Sequence, residues 1–249
     1  MRSTIQAFVV GLILVLCGGL VINFVVQMRE SSNRTTCTNN LHQIGITVAN
    51  YQDSIQGLYP RAAMMNEDLP PERRLSWLVD IMPYLEDDPT YSQMDKKKAW
   101  DAEENRFAAL CEFKRFHCAG YPDRPPESTL WSSHYIGLAG VGSDAATLPA
   151  GHPRAGVFGF DRELHNRDLT RGQSQTALLT ETSAAQGGWT AGGPPTVRGF
   201  DPATSQFGGN HRGGCLVGFA DGSVRLMNRN MSVSEWKRLV VLKDEPIQE

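Results

Sequence analysis

The chain opens with a long run of apolar residues. From Ile5 to Met28 it carries 24 residues without a charged side chain. As a helix this segment would span about 36 Å, more than the roughly 30 Å hydrocarbon core of a bilayer. The pattern predicts a transmembrane helix, and residues 1-30 are assigned as an anchor. A cleaved signal peptide and lipidation at Cys17 are the alternatives, but the run exceeds a signal-peptide core and Leu16 replaces the small residue that a lipoprotein site needs.

Beyond the anchor, apolar residues recur every three or four positions. They form one stripe along a helix: Cys37, Leu41, Ile44, Val48, Tyr51 and Ile55. This spacing predicts that residues 31-56 form an amphipathic helix that packs one face on a folded domain. If the two helices are continuous, residues 5 to 55 form a rod of about 75 Å. His42 lies off the stripe, and we expect it to be solvated or to act as a cap.

Residues 57-249 alternate short helical patterns with apolar runs that are typical of strands. Helices are predicted within 73-85, 96-113 and 231-242, the last opened by a capping box of Ser232 and Glu235. Strands are predicted for HYIGLAGVG (134-142), AGVFGF (155-160) and TALLTET (176-182). We therefore expect an α+β domain rich in loops.

The segments CLVGFA (215-220) and SVRLMN (223-228) flank Asp221-Gly222. Asp-Gly between apolar runs predicts a hairpin with a two-residue type I′ turn, in which both turn residues have positive φ. That register places Phe219 opposite Val224 and puts the core face on Cys215, Val217 and Phe219, with their partners.

His211 precedes the same hairpin by a short glycine-rich loop. The extended strand between them would hold His211 and Asp221 about 20 Å apart or more, which is too far for the two side chains to share a metal or a proton. We therefore interpret His211, Asp221 and Gly222 as a structural signature, with Asp221 in the turn and His211 ordering its loop by hydrogen bonding.

Charge and motifs exclude some functions. The net charge of -3 gives no basic field for phosphates, so nucleic acid is not expected as a partner. No motif orders the candidate catalytic groups, so we expect no enzyme; these groups are Ser133, His134, His152, Asp161, Glu163 and His165. No cofactor is predicted, although calcium could bind loop carboxylates such as Asp144, Asp161 or Asp201.

The cysteines outside the anchor leave two interpretations open. Cys37, Cys111, Cys118 and Cys215 could form disulfides in any of three pairings, or stay reduced. None of their spacings is CxxC, so the sequence gives little support for a zinc site.

Several stretches resemble one bacterial family. NHRGGCLVGFADGSVRLM resembles the C-terminal signature, a histidine, nine residues and Asp-Gly, of the prepilin-like proteins of domain of unknown function 1559, which also carry a solute-binding-protein label. Further similarity lies in CTNNLHQIGITVANYQDSIQGLYP, WLVDIMPYLE, HYIGLAG, GVFG and RGQSQTALLTE, which ends at Glu181. CEFKRFHCAGYPD is similar to the family's Cys-Pro-Ser-Asp pattern, with Cys118 and Asp123 in place of its Cys and Asp but without its proline.

The resemblance implies a type IV pilin-like fold, in which a long N-terminal helix packs on an antiparallel sheet. It also implies a single-pass protein of the cell inner membrane with its domain outside the cytoplasm. Its partners would be the lipid bilayer and other pilin-like or membrane proteins, in a structural or adaptor role in a secretion or surface assembly. The alternative is an extracytoplasmic ligand- or solute-binding module, in which loops at 187-214 with Trp189 and Phe207 shape a cleft.

One departure from the family concerns the anchor. MRSTIQAFVVGLILV has no Gly-Phe junction, and no acidic residue precedes Glu30. In relatives a glutamate inside the membrane would neutralise a neighbour's terminal amine during filament assembly. We therefore expect neither pilin-type processing nor filament incorporation to follow from the resemblance.

Overall fold

The structure is a computed structural model that describes residues 2-85, 89-121, 130-184, 187-203, 207-209, 211-228 and 230-243. The helices are α1 (Arg2–Ser54), α2 (Trp77–Ile81), α3 (Thr90–Gln93), α4 (Glu103–Ala109) and α5 (Val233–Val240). The strands are β1 (Tyr135–Val141), β2 (Ala177–Glu181), β3 (Val197–Phe200), β4 (Gly214–Phe219) and β5 (Val224–Asn228). The predicted α+β class is confirmed.

The anchor and the amphipathic segment form one helix. α1 runs unbroken for 53 residues, a length of about 80 Å. Its described large apolar side chains from Ile5 to Met28 are exposed, and by length and composition α1 can cross a membrane. Farther along, the stripe turns inward: Cys37, Leu41, Ile44 and Val48 are buried, while Tyr51 and Ile55 are half-buried.

The five strands form one mixed sheet in the order β3-β1-β2-β4-β5. The expected antiparallel sheet is wrong in part, because β3 pairs in parallel with β1. β3 follows β2 along the chain but joins the sheet on the far side of β1. The sequence analysis did not predict β3.

Segment 155-160 is not a strand, contrary to the prediction. Both edges of β1 are taken by β2 and β3, so this segment reaches β1 only where the β1–β3 register shifts between Leu138 and Gly140. There the Gly156 N–H donates to the Ala139 carbonyl at 2.7 Å.

The hairpin forms where it was predicted, but its register is shifted by one residue. Gly218 pairs with Val224, and the Phe219 N–H donates to the Ser223 carbonyl at 2.8 Å. The loop therefore has three residues, 220 to 222, and only Gly222 takes a positive φ, of 80°. The Asp221 carboxylate accepts the Ser223 N–H at 2.9 Å, which stabilises a loop of this longer type.

Helices cover both faces of β4, where one core face was predicted. Leu216 packs in the same core as Leu41 of α1, whereas Val217 and Phe219 pack with Trp236 of α5. α5 begins at the predicted capping box. The hairpin turn also touches α1, since His42 Nδ1 lies 3.0 Å from the Gly222 carbonyl oxygen and donates to it.

Candidate functional site

Four buried side chains from four separate segments meet beside α1. Cys37 lies on α1, Cys118 follows a short helical turn at 114-116, Glu181 ends β2, and His211 precedes β4. Their sulfur, nitrogen and carboxylate oxygen atoms all lie within 4.8 Å of one another. Each residue has 0% exposed surface. We call these residues the four-residue cluster.

Three members of the four-residue cluster, Cys118, Glu181 and His211, lie in mutual contact. His211 Nε2 lies 3.4 Å from Cys118 Sγ and 3.2 Å from Glu181 Oε1. Cys118 Sγ lies 3.5 Å from the same Glu181 oxygen. One carboxylate oxygen, one ring nitrogen and one thiol thus form a compact triangle.

The backbone around Glu181 fixes its carboxylate. Glu181 Oε2 accepts the Leu216 N–H from β4 at 2.8 Å, which leaves Oε1 directed at His211. Gly209 permits this approach, because a Cβ at that position would lie only 2.4 Å from Glu181 Oε2. The carboxylate therefore has little room to change its orientation.

His211 is oriented by α1. Its Nδ1 lies 3.1 Å from Glu30 Oε1, and the same oxygen accepts the Arg212 N–H at 3.0 Å. Glu30 is the first acidic residue after the apolar run. The side-chain partners of His211 thus come from two distant segments, Glu30 on α1 and Glu181 on β2.

The four-residue cluster perturbs its own ionisation. A hydrogen bond with Cys118 lowers the pKa of Cys37 to about 4, although burial opposes this shift. The same hydrogen bond, together with burial, raises the pKa of Cys118. Burial lowers the pKa of His211, but hydrogen bonds with Cys37 and Glu181 outweigh it and raise that pKa to about 10. The arrangement therefore favours a Cys37 thiolate and a protonated His211.

These groups can support two kinds of chemistry. Thiolates, imidazole and carboxylate are the ligands that zinc takes in proteins. Cys37 and Cys118 could alternatively be joined by oxidation, but they are separate thiols in the structure. Among the described residues no disulfide joins any of the five cysteines.

The other predicted site residues lie elsewhere. Cys111 is exposed, and Cys215 is buried 4.0 Å from the Thr180 hydroxyl, so neither belongs to the four-residue cluster. Asp221 and Gly222 occupy the hairpin turn at the opposite end of β4 from His211. Asp123, the second residue taken from the family's Cys-Pro-Ser-Asp pattern, lies outside the described residues.

The carboxylates considered for calcium do not come together. The Arg154 guanidinium donates to both oxygens of Asp144 at 2.7 and 2.8 Å. Asp161 pairs with Arg74 at 3.2 Å. The Asp201 side chain accepts the Ala203 N–H at 2.9 Å.

The candidate catalytic groups also make local contacts. Ser133 Oγ donates to the Tyr135 carbonyl at 2.6 Å, and His134 Nδ1 accepts the Cys118 N–H at 3.0 Å. Burial lowers the pKa of His134 to about 3. His134 therefore positions the Cys118 backbone as a neutral ring.

Sequence reasoning did not predict the four-residue cluster, and it gave Glu30 no role in the domain. The available signal was that Cys37, Cys118, Glu181 and His211 each fall in a different stretch that resembles the same family. No local spacing links them, so only the fold shows that they meet.

Comparison with known proteins supports the family resemblance. A family model described as a protein of unknown function (DUF1559) matches residues 26-201. The matched range includes Cys37, Cys118 and Glu181, and it ends before His211. Neither curated proteins nor solved structures give a match for this chain. Because the matched range covers more than half of the sequence, the chain belongs to the DUF1559 family of proteins of unknown function.

Proposed function

We propose that this chain is a single-pass inner-membrane protein with a pilin-like domain outside the cytoplasm. Its role is structural, as a component or adaptor of a secretion or surface assembly, and it is not an enzyme. The observation that carries this proposal is α1, a single helix that is apolar and exposed in its first half and packed on the sheet in its second half.

The second half of α1 leaves one face uncovered by the domain. Ile46 lies on that face with 48% of its surface exposed, while Ile44 on the opposite face is buried. The neighbouring outward residues Asn39 and Asn50 are polar and exposed. This mixed face and the adjoining apolar span are suited to lateral packing against a helix of another pilin-like or membrane protein.

The position of Glu30 favours a permanent anchor over a filament subunit. Its carboxylate contacts His211 and the Arg212 N–H of the same chain. It is therefore committed to the domain, outside the apolar run, and does not serve a neighbour's amine within the bilayer. Lateral contacts in the membrane would then rest on apolar packing.

Site-specific photo-cross-linking in intact cells tests this role. A photoreactive residue at Ile46 should yield adducts with another membrane protein or a second copy of the chain. The matched control is Leu110, an exposed apolar residue on the domain with a similar exposed fraction, 43%. Adducts from Leu110 alone, or none from either position in membranes that contain the protein, would contradict the proposal. Intact mass of the purified chain would show whether the anchor is retained.

One observation favours a second candidate, the solute-binding module. A cavity of about 380 Å³ lies near the four-residue cluster, lined in part by Tyr121, Phe207, Asn228 and Trp236. This volume falls within the range of small-molecule sites, about 300–1,000 Å³. Trp189, by contrast, is buried in the core with its Nε1 on the Cys111 carbonyl, 3.1 Å away, so it does not shape a cleft.

Native mass spectrometry of the full-length protein from its own membranes tests the second candidate. A small-molecule adduct that disappears in Phe207→Ala and persists in Leu110→Ala would support solute binding in this cavity. Protein free of adducts, or adducts that are indifferent to Phe207, would remove the candidate.

A further inference from the structure

We propose that Cys37, Cys118, Glu181 and His211 bind one divalent metal ion of the zinc class, which fastens α1 to the extracytoplasmic domain. Metal binding at this site does not depend on the assembly role proposed above, but the position of the site beside the bilayer rests on the proposed membrane anchor. The site would serve an adaptor, a filament subunit or a solute-binding module equally.

The distances within the four-residue cluster fit tetrahedral coordination. Tetrahedral angles with bonds of about 2.3 Å to sulfur and about 2.0–2.1 Å to nitrogen or oxygen require separations of about 3.3–3.4 Å between nitrogen and oxygen, about 3.5–3.6 Å between sulfur and either of them, and about 3.8 Å between two sulfurs. The measured separations are 3.4 Å for Cys118 Sγ to His211 Nε2, 3.5 Å for Cys118 Sγ to Glu181 Oε1, and 3.2 Å for His211 Nε2 to Glu181 Oε1. Cys37 Sγ lies within 4.8 Å of all three atoms, and we assign it the fourth ligand position.

The types of ligand select the metal. Calcium and magnesium take oxygen ligands, typically six or more, and the four-residue cluster offers one carboxylate. Two sulfurs with one imidazole suit zinc, and soft copper(I) would gain little from the carboxylate. Zinc does not change its oxidation state, so no redox partner is needed for binding.

The contacts outside the four-residue cluster are those of a metal site. Metal-bound histidines commonly donate their second ring N–H to a carboxylate. His211 does so here, because Nδ1 lies 3.1 Å from Glu30 Oε1 while Nε2 faces the other members. Glu181 is held in the same manner, with Oε2 on the Leu216 N–H and Oε1 facing inward. The outward hydrogen bonds of His211 Nδ1 and Glu181 Oε2 therefore orient Nε2 and Oε1 toward the proposed metal ion.

The site is closed, which indicates a structural role for the ion. Structural zinc sites have four protein ligands, whereas catalytic sites keep a position for water or substrate. All four residues are fully buried, and Gly209 lies so near the Glu181 carboxylate that a Cβ there would be only 2.4 Å from Oε2. The ion would therefore hold segments together.

The site lies close to the end of the apolar run of α1. Cys37 lies nine residues beyond Met28, the end of the apolar run, which is about 14 Å along a helix. An ion there would join α1, the Cys118 loop, β2 and the His211 loop just outside the bilayer. It would fix the orientation of the domain relative to the membrane.

Metal content of the full-length protein is the first test. The protein is purified in detergent without a polyhistidine tag, supplied with one equivalent of zinc, dialysed and analysed for bound metal. We expect one zinc per chain in the unmodified protein and in the matched control Cys111→Ser, and loss of zinc in Cys118→Ser and Glu181→Gln. Zinc retained by Cys118→Ser, no zinc in the unmodified protein, or a Cys37–Cys118 disulfide in the non-reduced protein would overturn the proposal.

A variant outside the four ligands separates metal binding from folding. Glu30→Gln keeps a hydrogen-bond acceptor for His211 but removes the charge, so the protein should fold and bind zinc about 10–100-fold more weakly. Arg29→Gln, at the exposed neighbouring position, should bind zinc normally. Cobalt substitution adds a direct signature, since a thiolate-to-cobalt charge-transfer band should appear in the unmodified protein and not in Cys118→Ser. Equal zinc affinity in Glu30→Gln and Arg29→Gln, or cobalt without that band, would contradict the site.

Discussion

The two halves of α1 share one backbone but have different surroundings. Leu14 in the first half is 67% exposed, whereas Leu41 in the second half is 1% exposed. The first half is apolar around its whole circumference, whereas the buried apolar residues of the second half lie along one stripe. The pattern of apolar residues, more than their number, therefore decides whether a helix is suited to lipid or to a protein core.

Two ionisable side chains of α1 that contact the domain lie at the boundary between the two halves. Glu30 and Cys37 bracket the first turns of α1 beyond the apolar run, and both contact residues of the domain. If the four-residue cluster holds a metal ion, the ion lies just beyond the apolar run of α1, a helix that is long and apolar enough to cross a membrane.

The largest difference in stability is expected from truncating a buried side chain of α1. Ile44→Ala removes a buried side chain from the second half, and it should lower the free energy of unfolding of the domain by about 2–5 kcal/mol. Ile46→Ala, two residues away on the exposed face, should change it by less than about 0.5 kcal/mol. Thermal unfolding of the full-length protein in detergent measures both variants. Equal losses would show that α1 does not pack on the domain by this stripe.

A charge in the first half of α1 should impair membrane insertion and leave the stability of the domain unchanged. Leu14→Arg places a cation near the middle of the apolar run and should raise the apparent free energy of membrane insertion by about 3 kcal/mol. The unfolding midpoint of the domain should not move, because Leu14 is exposed and far from the sheet. A translocation reporter fused to the chain measures insertion. A change in domain stability without a change in insertion would show that the first half of α1 contacts the domain and does not cross the membrane.

At the boundary, Glu30→Gln should have an intermediate effect on stability. The variant loses a charged acceptor that serves both His211 and the Arg212 N–H, and it should lose about 1–2 kcal/mol of domain stability. Arg29→Gln is the control and should be nearly neutral. Denaturant unfolding resolves the difference, and identical midpoints for the two variants would mean that Glu30 does not hold the domain.

The smallest effect is expected at the hairpin turn that rests on α1. Gly222 has a φ of 80°, and a Cβ there would meet no atom within 4 Å. Gly222→Ala should therefore cost only the backbone strain, about 1 kcal/mol. Gly18→Ala in the first half, also without a neighbour within 4 Å, should leave domain stability unchanged. A change in the free energy of unfolding of the domain in Gly18→Ala would show that the first half of α1 contributes to domain stability.

Local patterns in the sequence predicted much of the fold. The periodicity of α1 and the capping box of α5 are local features, and both helices form where they were expected. The hairpin shows the limit of such reasoning. Asp-Gly predicts a turn at the correct place, yet the Asp221 side chain stabilises a three-residue loop and shifts the register by one.

Features that depend on distant parts of the chain were missed. β3 joins β1 in parallel, and no local pattern encodes that contact. The four-residue cluster is the same case, since its members are separated by long stretches of sequence and lack the close pairs that mark zinc motifs. The fold had to bring them together before their shared chemistry was visible.

X-ray absorption at the zinc edge tests whether the four-residue cluster binds the ion. Measured on the full-length, zinc-loaded protein, it reports the kinds of ligand and their distances from the ion. The site at Cys37, Cys118, Glu181 and His211 predicts two sulfur ligands at about 2.3 Å and two nitrogen or oxygen ligands at about 2.0–2.2 Å. A spectrum without sulfur, or with six oxygen or nitrogen ligands, would rule out this metal site.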